Sequence, residues 1–103
     1  MRLLAIALLG MQRALLGVIT PQIRGVCVDV DEKEKVLIMT FYHEGNLSLE
    51  DREDLEVAMT EASCCLAADY KEDGRIIRKD SPETLITFGK WAYLRKETPL
   101  RID

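Results

Sequence analysis

The chain has 103 residues, 48% of them hydrophobic and 31% charged, with a formal net charge of −4. This length fits one domain, and a hydrophobic share near the globular average excludes a disordered chain. The acidic balance argues against a nucleic-acid binder that works by neutralising phosphates. We therefore treat residues 1–103 as a single domain. Residues 1–10 are a candidate N-terminal extension, because Met11 could be the natural start, and residues 98–103 resemble a loose tail.

The first element is an apolar N-terminal segment. Its opening imitates a signal peptide, but Gln12 and Arg13 interrupt the run before it reaches the ~18 residues of a membrane span. Ala7-Leu8-Leu9-Gly10 recurs seven residues later as Ala14-Leu15-Leu16-Gly17. Heptad-spaced leucine pairs predict a helix with an apolar stripe, which ends before Pro21. We expect a helix that packs in a soluble protein, without a membrane partner; secretion through a signal peptide is the alternative.

Two strands follow this helix. In residues 23–30, Val26, Val28 and Val30 alternate with Cys27 and Asp29, which is typical of a strand with two different faces. A charged run at residues 31–35 predicts a hairpin loop. Residues 36–43 return as a second strand, whose apolar first half predicts a central position in the sheet.

A long amphipathic helix is predicted from about Leu49 to Ala68. Ser48 is a suitable N-cap with Asp51 three residues later, and the apolar positions recur at spacings of three and four: Leu55, Ala58, Met59, Ala62, Cys65 and Leu66.

The last part of the chain predicts two more strands. Asp73-Gly74 breaks the chain before a third strand at residues 75–79, and Ser81-Pro82 forms a turn. A fourth strand is predicted at residues 91–96, preceded by an extended piece at residues 85–88. The order α-β-β-α-β-β comprises two helix-hairpin units. It predicts an α+β fold in which two helices pack on one face of an antiparallel sheet of about four strands.

The charge is unevenly distributed along the chain. Residues 44–73 hold ten acidic and two basic side chains, a net charge of −8, whereas the remainder carries a net charge of +4. A concentrated acidic surface attracts basic partners and accelerates their docking. A solvated helix face that complements the helix dipole is the simpler alternative. The candidate partner-binding residues are those of the predicted acidic helix: Glu50, Asp51, Glu53, Asp54, Glu56 and Glu61.

Basic and aromatic side chains suggest a weaker alternative, an RNA-binding surface. The basic residues are Arg75, Arg78, Lys79, Arg95 and Lys96, but strand alternation places Arg78 and Lys79 on opposite faces. Tyr42, Trp91 and Tyr93 could stack on bases, although aromatic residues in strands more often fill a core. We therefore expect no nucleic-acid partner.

Catalytic and metal-binding patterns are weak. His43 and Glu44 are the residues that an enzyme would use, yet no nucleophile motif accompanies them. The three cysteines, Cys27, Cys64 and Cys65, lack the spacing of a metal site and are expected to be buried and reduced, as in the cytoplasm. We expect no metal, no cofactor and no enzymatic activity.

Several segments resemble a small bacterial family that we associate with immunity proteins of contact-dependent inhibition and related polymorphic toxin systems. They lie within residues 11–97: Arg13-Ala14-Leu15-Leu16-Gly17, Ile19-Thr20-Pro21, Ile23-Arg24, Phe41-Tyr42-His43-Glu44-Gly45, Ser48 with Glu50-Asp51-Arg52-Glu53, and Trp91-Ala92-Tyr93-Leu94-Arg95-Lys96-Glu97. The resemblance implies a cytoplasmic protein that binds and neutralises one cognate toxin. If that toxin is a nuclease with a basic surface, the predicted acidic helix could occupy its substrate groove. The alternative is a homo-oligomeric structural or regulatory protein, such as a homodimer, that associates through its leucine-rich N-terminal helix.

Overall fold

A computed structural model describes residues 3–97, in which two helices and four strands follow one another in the order α-β-β-α-β-β. The elements are α1 (Leu3–Ala14), β1 (Ile23–Asp31), β2 (Val36–His43), α2 (Leu49–Ser63), β3 (Lys71–Arg78) and β4 (Lys90–Leu94). This order confirms the predicted α+β class. The tail predicted for residues 98–103 lies outside the described residues.

The sheet is mixed, and the prediction of a purely antiparallel sheet is wrong in this respect. Its strands lie in the order β3-β2-β1-β4. The pairs β1–β2 and β1–β4 are antiparallel, but β2 and β3 are parallel, with Val36 opposite Lys71. Because α2 returns the chain to the starting end of β2, β3 can run beside β2 in the same direction.

The last two strands do not form the expected hairpin, since β3 and β4 lie at opposite edges of the sheet. The segment between them crosses the face that the helices leave free. Its Leu85 is fully buried and packs with Cys27 and Tyr42, and the Tyr42 hydroxyl donates a 2.7 Å hydrogen bond to the Ile86 carbonyl. Burial of this second apolar surface therefore requires the long crossing rather than a tight turn.

The main core lies between the sheet and the two helices. Alternation along β1 sends Val26 and Val28 to this core and Cys27 to the opposite face, as predicted. From the helix layer, the core receives the buried residues Ala7, Met11, Ala14, Leu55, Ala58, Met59 and Ala62. Both helices thus pack on one face of the sheet, as the sequence predicted.

The boundaries near α2 differ from the prediction. The helix ends at Ser63 rather than Ala68, and β3 begins at Lys71, so that Gly74 lies inside a strand instead of breaking the chain. A Cβ atom at Gly74 would lie 2.2 Å from the Met59 Sδ atom. The glycine therefore lets α2 pack closely against β3.

The buried stripe of α1 also differs from the prediction based on the leucine pairs. Ala7, Met11 and Ala14 are the buried residues of this helix, whereas Leu9 is 48% exposed and Leu16, in the turn after it, is 79% exposed. At about 100° per residue, these two leucines fall on the side opposite the buried stripe. That residues 1–10 form an N-terminal extension stays a prediction.

Candidate functional site

The predicted acidic face lies on α2, whose start is set by a side-chain cap. The Ser48 hydroxyl accepts a 3.0 Å hydrogen bond from the Asp51 backbone N–H, which satisfies one of the free N–H groups of the first turn. This start determines which side of the helix faces the sheet. The buried side consists of Leu55, Ala58, Met59 and Ala62.

The structure brings five of the six predicted acidic residues together on the solvent side of α2. Five of the six side chains are exposed, and Asp51 is half-buried beside the cap. At about 100° per residue, Glu50, Glu53, Asp54 and Glu61 fall within an arc of about 100°, and Glu56 lies about 60° beyond one end of this arc. Asp51 lies about 60° beyond the other end, in line with the buried residues of the helix. The five exposed residues form one surface, which we call the acidic face, and Asp51 adjoins it at the start of the helix.

An exposed apolar residue lies in the middle of the acidic face. Val57 is 56% exposed, and it lines a shallow groove of about 470 Å³ with Glu53, Glu56, Thr60 and Glu61. Val57 was not among the residues predicted from the sequence, although its helical spacing places it away from the buried residues of α2 and among the acidic ones. An apolar centre with a charged rim is a common arrangement in protein interfaces.

The carboxylates of the acidic face are not neutralised by the described part of the chain. Six ion pairs join residues within 3–97, and none of them involves α2. The helix dipole favours Glu50 and Asp51 in the first turn but opposes Glu61 near the last turn, where no basic residue occurs. Like charges three or four residues apart also repel one another. Capping and helix stability therefore do not explain the whole acidic set.

The basic residues considered for RNA binding are mostly paired with acids. Arg75 binds Asp73, Arg78 binds Asp80, and Arg95 binds both Glu44 and Glu97. These ion pairs leave Lys79 and Lys96 of the five candidates without a salt bridge inside the described range.

The three aromatic residues do not form a single platform either. Tyr42 and Trp91 pack together beneath Leu85, with ring centroids 6.2 Å apart, and Tyr93 packs against the core on the helix side of the sheet. The ion pairs and these positions both disfavour RNA binding.

A known protein family matches the part of the chain that forms these surfaces. A family model described as "MafI2 immunity protein" matches residues 6–97. The chain belongs to the MafI2 immunity protein family. The resemblance to immunity proteins of polymorphic toxin systems is thereby confirmed, and it supports an immunity function. No curated protein is significantly similar to the chain in sequence.

In this MafI2 family member, the matched range contains α2, all four described strands and α1 from residue 6 onward. It therefore includes the whole acidic face.

The matched range also includes a buried ion-pair network that was not predicted from the sequence. Arg24 is completely buried, and its guanidinium donates two 2.8 Å hydrogen bonds to the Glu97 carboxylate. These bonds hold the pKa of Glu97 below its ordinary value, although burial opposes the shift.

His43 and Glu44 of the MafI2 family member have separate environments. His43 is buried, and its Nδ1 atom has no hydrogen-bond partner among the described residues. Glu44 instead accepts a 2.8 Å bond from Arg95, which lowers the pKa of this carboxyl. The two side chains therefore do not form an acid–base pair.

The cysteines correct one prediction, because only Cys27 is buried while Cys64 and Cys65 are exposed. The adjacent pair lies directly beyond Ser63, where α2 ends earlier than predicted. Over residues 3–97, no cluster of three or more histidine, cysteine or acidic side chains could hold a metal ion. In the same range, no helix is long and apolar enough to span a membrane.

Proposed function

We propose that this MafI2 family member protects bacterial cells by binding a cognate toxin directly through the acidic face of α2, without catalysis. The toxin would belong to a contact-dependent or related polymorphic toxin system, and neutralisation would occur in the cytoplasm. Family membership supports the immunity function. The observation that carries the choice of surface is the set of exposed carboxylates that lack ion-pair partners within residues 3–97.

The acidic face fits a toxin with a basic surface, for example a nuclease. A nuclease binds phosphates with lysine and arginine side chains, and closely spaced carboxylates can occupy the same positions. Their charge also accelerates the encounter, because complementary potentials raise association rates by about 10-fold to 1,000-fold at low salt. Binding and steering would then rely on the same residues.

Val57 adds a contact that charge alone does not provide. Its exposed side chain lies between Glu53 and Glu61, so that a partner covering the groove would remove apolar surface from water. Interface residues near the centre contribute most when a surrounding rim excludes solvent. We therefore expect the toxin to present a small apolar patch surrounded by basic side chains.

The test is a charge-reversal experiment on association kinetics. The double variant Glu53→Lys with Asp54→Lys should slow association with the cognate toxin domain by at least about tenfold at low salt. The matched control is Glu32→Lys with Glu34→Lys, which makes the same change in net charge at exposed positions of the β1–β2 turn. The control should associate at nearly the native rate.

Two results would count against the proposal, and they are distinguishable. Equal association rates for the two double variants would show that the acidic face is not the docking surface. Failure of the native protein to restore growth to cells that express the toxin domain would contradict the immunity function for that pair.

Val57→Ala should increase the dissociation rate of the complex with the toxin, with little effect on the association rate.

A further inference from the structure

A second unpartnered surface lies on the other side of the helix layer, where α1 approaches the free edge of β4. Two apolar grooves line this side. One, of about 280 Å³, is formed by Leu4, Ala5, Leu8 and Lys90. The other, of about 250 Å³, is formed by Gln12, Leu15, Leu16, Ile19, Ala92 and Tyr93. We call this surface the α1–β4 face.

The two edges of the sheet differ in how well they resist pairing with another strand. Five of the eight residues in β3 are charged, whereas Lys90 is the one charged residue of β4. Charged side chains protect an edge strand from pairing. The β4 edge lacks this protection, and its outer side has no neighbouring strand within the described sheet.

The charge of the α1–β4 face does not suit the toxin proposed for α2. Its lining residues include no carboxylate and a single cation, Lys90. A basic partner would gain no electrostatic steering there. An apolar face with an open strand edge is instead self-complementary, because antiparallel edge strands can pair around a two-fold axis.

We propose that the α1–β4 face is the interface of a homodimer. The β4 strands of two copies pair antiparallel around Ala92, which places Lys90 of each copy opposite Leu94 of the other and keeps the two ammonium groups apart. The sheets join edge to edge, and the two α1 helices pack beside each other. Leu8 and Leu16 then leave water, which explains why these leucines are not used in the monomer core.

The size of the α1–β4 face predicts a weak dimer. The 12-residue α1 is about 18 Å long, and a helix lying on a sheet edge is about 20 Å high. The resulting flat area is about 360 Å² per copy, compared with about 800 Å² in a stable complex. An interface of this size is typical of weak or transient association rather than of a stable complex.

The test compares two equally exposed leucines by sedimentation velocity between about 1 µM and about 1 mM protein. Leu16 is 79% exposed on the proposed interface, and Leu49 is 72% exposed on α2. The native chain and Leu49→Glu should show a mass that rises toward that of a dimer. Leu16→Glu should stay monomeric. Hydrogen exchange of the β4 amides should also slow as the native protein becomes more concentrated.

Several outcomes would overturn this proposal. They are a native protein that stays monomeric at about 1 mM, a Leu16→Glu variant that still dimerises, and β4 exchange that does not depend on concentration. If Leu16→Glu abolishes toxin binding while the native chain is monomeric, the α1–β4 face binds the toxin instead. Protection by Leu16→Glu at the native level would separate dimerisation from the function proposed for α2.

Discussion

Replacement of Glu97 with alanine tests the most deeply buried ion pair. The Glu97 carboxylate accepts two hydrogen bonds from Arg24, and their side chains are 9% and 0% exposed. The other guanidinium nitrogen of Arg24 donates to the carbonyls of Lys79 and Glu83 at 2.9 and 2.8 Å. Glu97→Ala would therefore leave two of the three nitrogens without acceptors and a buried cation without its counter-ion.

The expected cost is large for a domain of this size. Removal of one partner from a buried ion pair destabilises by about 3–5 kcal/mol, and total stabilities are about 5–15 kcal/mol. Because the Glu97 side chain is 9% exposed, water can reach the vacated site, and we expect the lower value, about 3 kcal/mol. The melting temperature should fall by about 15 °C.

Urea unfolding provides the assay, with two further variants. Arg24→Met combined with Glu97→Ala should be less damaging than Glu97→Ala alone, because it removes the unpaired charge. Asp69→Ala breaks the exposed Lys35–Asp69 pair, whose side chains are more than half exposed, and should leave the midpoint unchanged. If Glu97→Ala lowers the free energy of unfolding by less than about 1 kcal/mol, the burial of Arg24 does not set the cost of losing the Glu97 carboxylate.

The remaining predictions concern pH and two glycines. Arg24 and Arg95 lower the pKa values of Glu97 and Glu44. The stabilisation from these ion pairs is therefore fully present above the ordinary glutamate pKa and is lost as the pH falls through the lower pKa values of the folded state. Urea unfolding between about pH 7 and about pH 3 should show this loss, with a shallower slope in Glu97→Gln; identical slopes would contradict the assignment. Gly89→Ala should destabilise by about 2–3 kcal/mol more than Gly17→Ala in the same assay. Both glycines have positive φ, but a Cβ at position 89 would lie 2.1 Å from the Val28 carbonyl oxygen, whereas position 17 is open; equal losses would refute the steric argument.

Local patterns were sufficient for much of the fold. The alternation of Val26 and Val28 with Cys27 identified the two faces of β1, and Ser48 located the start of α2. These predictions succeeded because strand alternation and helix capping depend on residues that are close in sequence. Five of the six acidic residues lie on one exposed side of α2 for the same reason, whereas helical spacing places Asp51 in line with the buried residues. Whether they bind a toxin stays a prediction.

Contacts between distant segments could not be predicted from local sequence patterns in the same way. Asp73-Gly74 resembled a chain break, yet Gly74 allows Met59 of α2 to approach β3. Arg24 lies near the start of β1, and its partner Glu97 is 73 residues away. Nothing in the local sequence of either residue indicates the other, because the pairing depends on β1 and the segment after β4 being neighbours.

The sequence alone determined the order of the elements and the concentration of negative charge, because both follow from residue type and short-range spacing. The net charge of −4 divides into −8 for residues 44–73 and +4 for the remainder. The tertiary structure decided which charges remain available. It pairs Arg24, Arg75, Arg78 and Arg95 with acids outside α2 and leaves the acidic face without ion pairs inside residues 3–97. Ion pairs form between side chains that the fold brings within a few ångströms, and sequence distance does not encode that proximity.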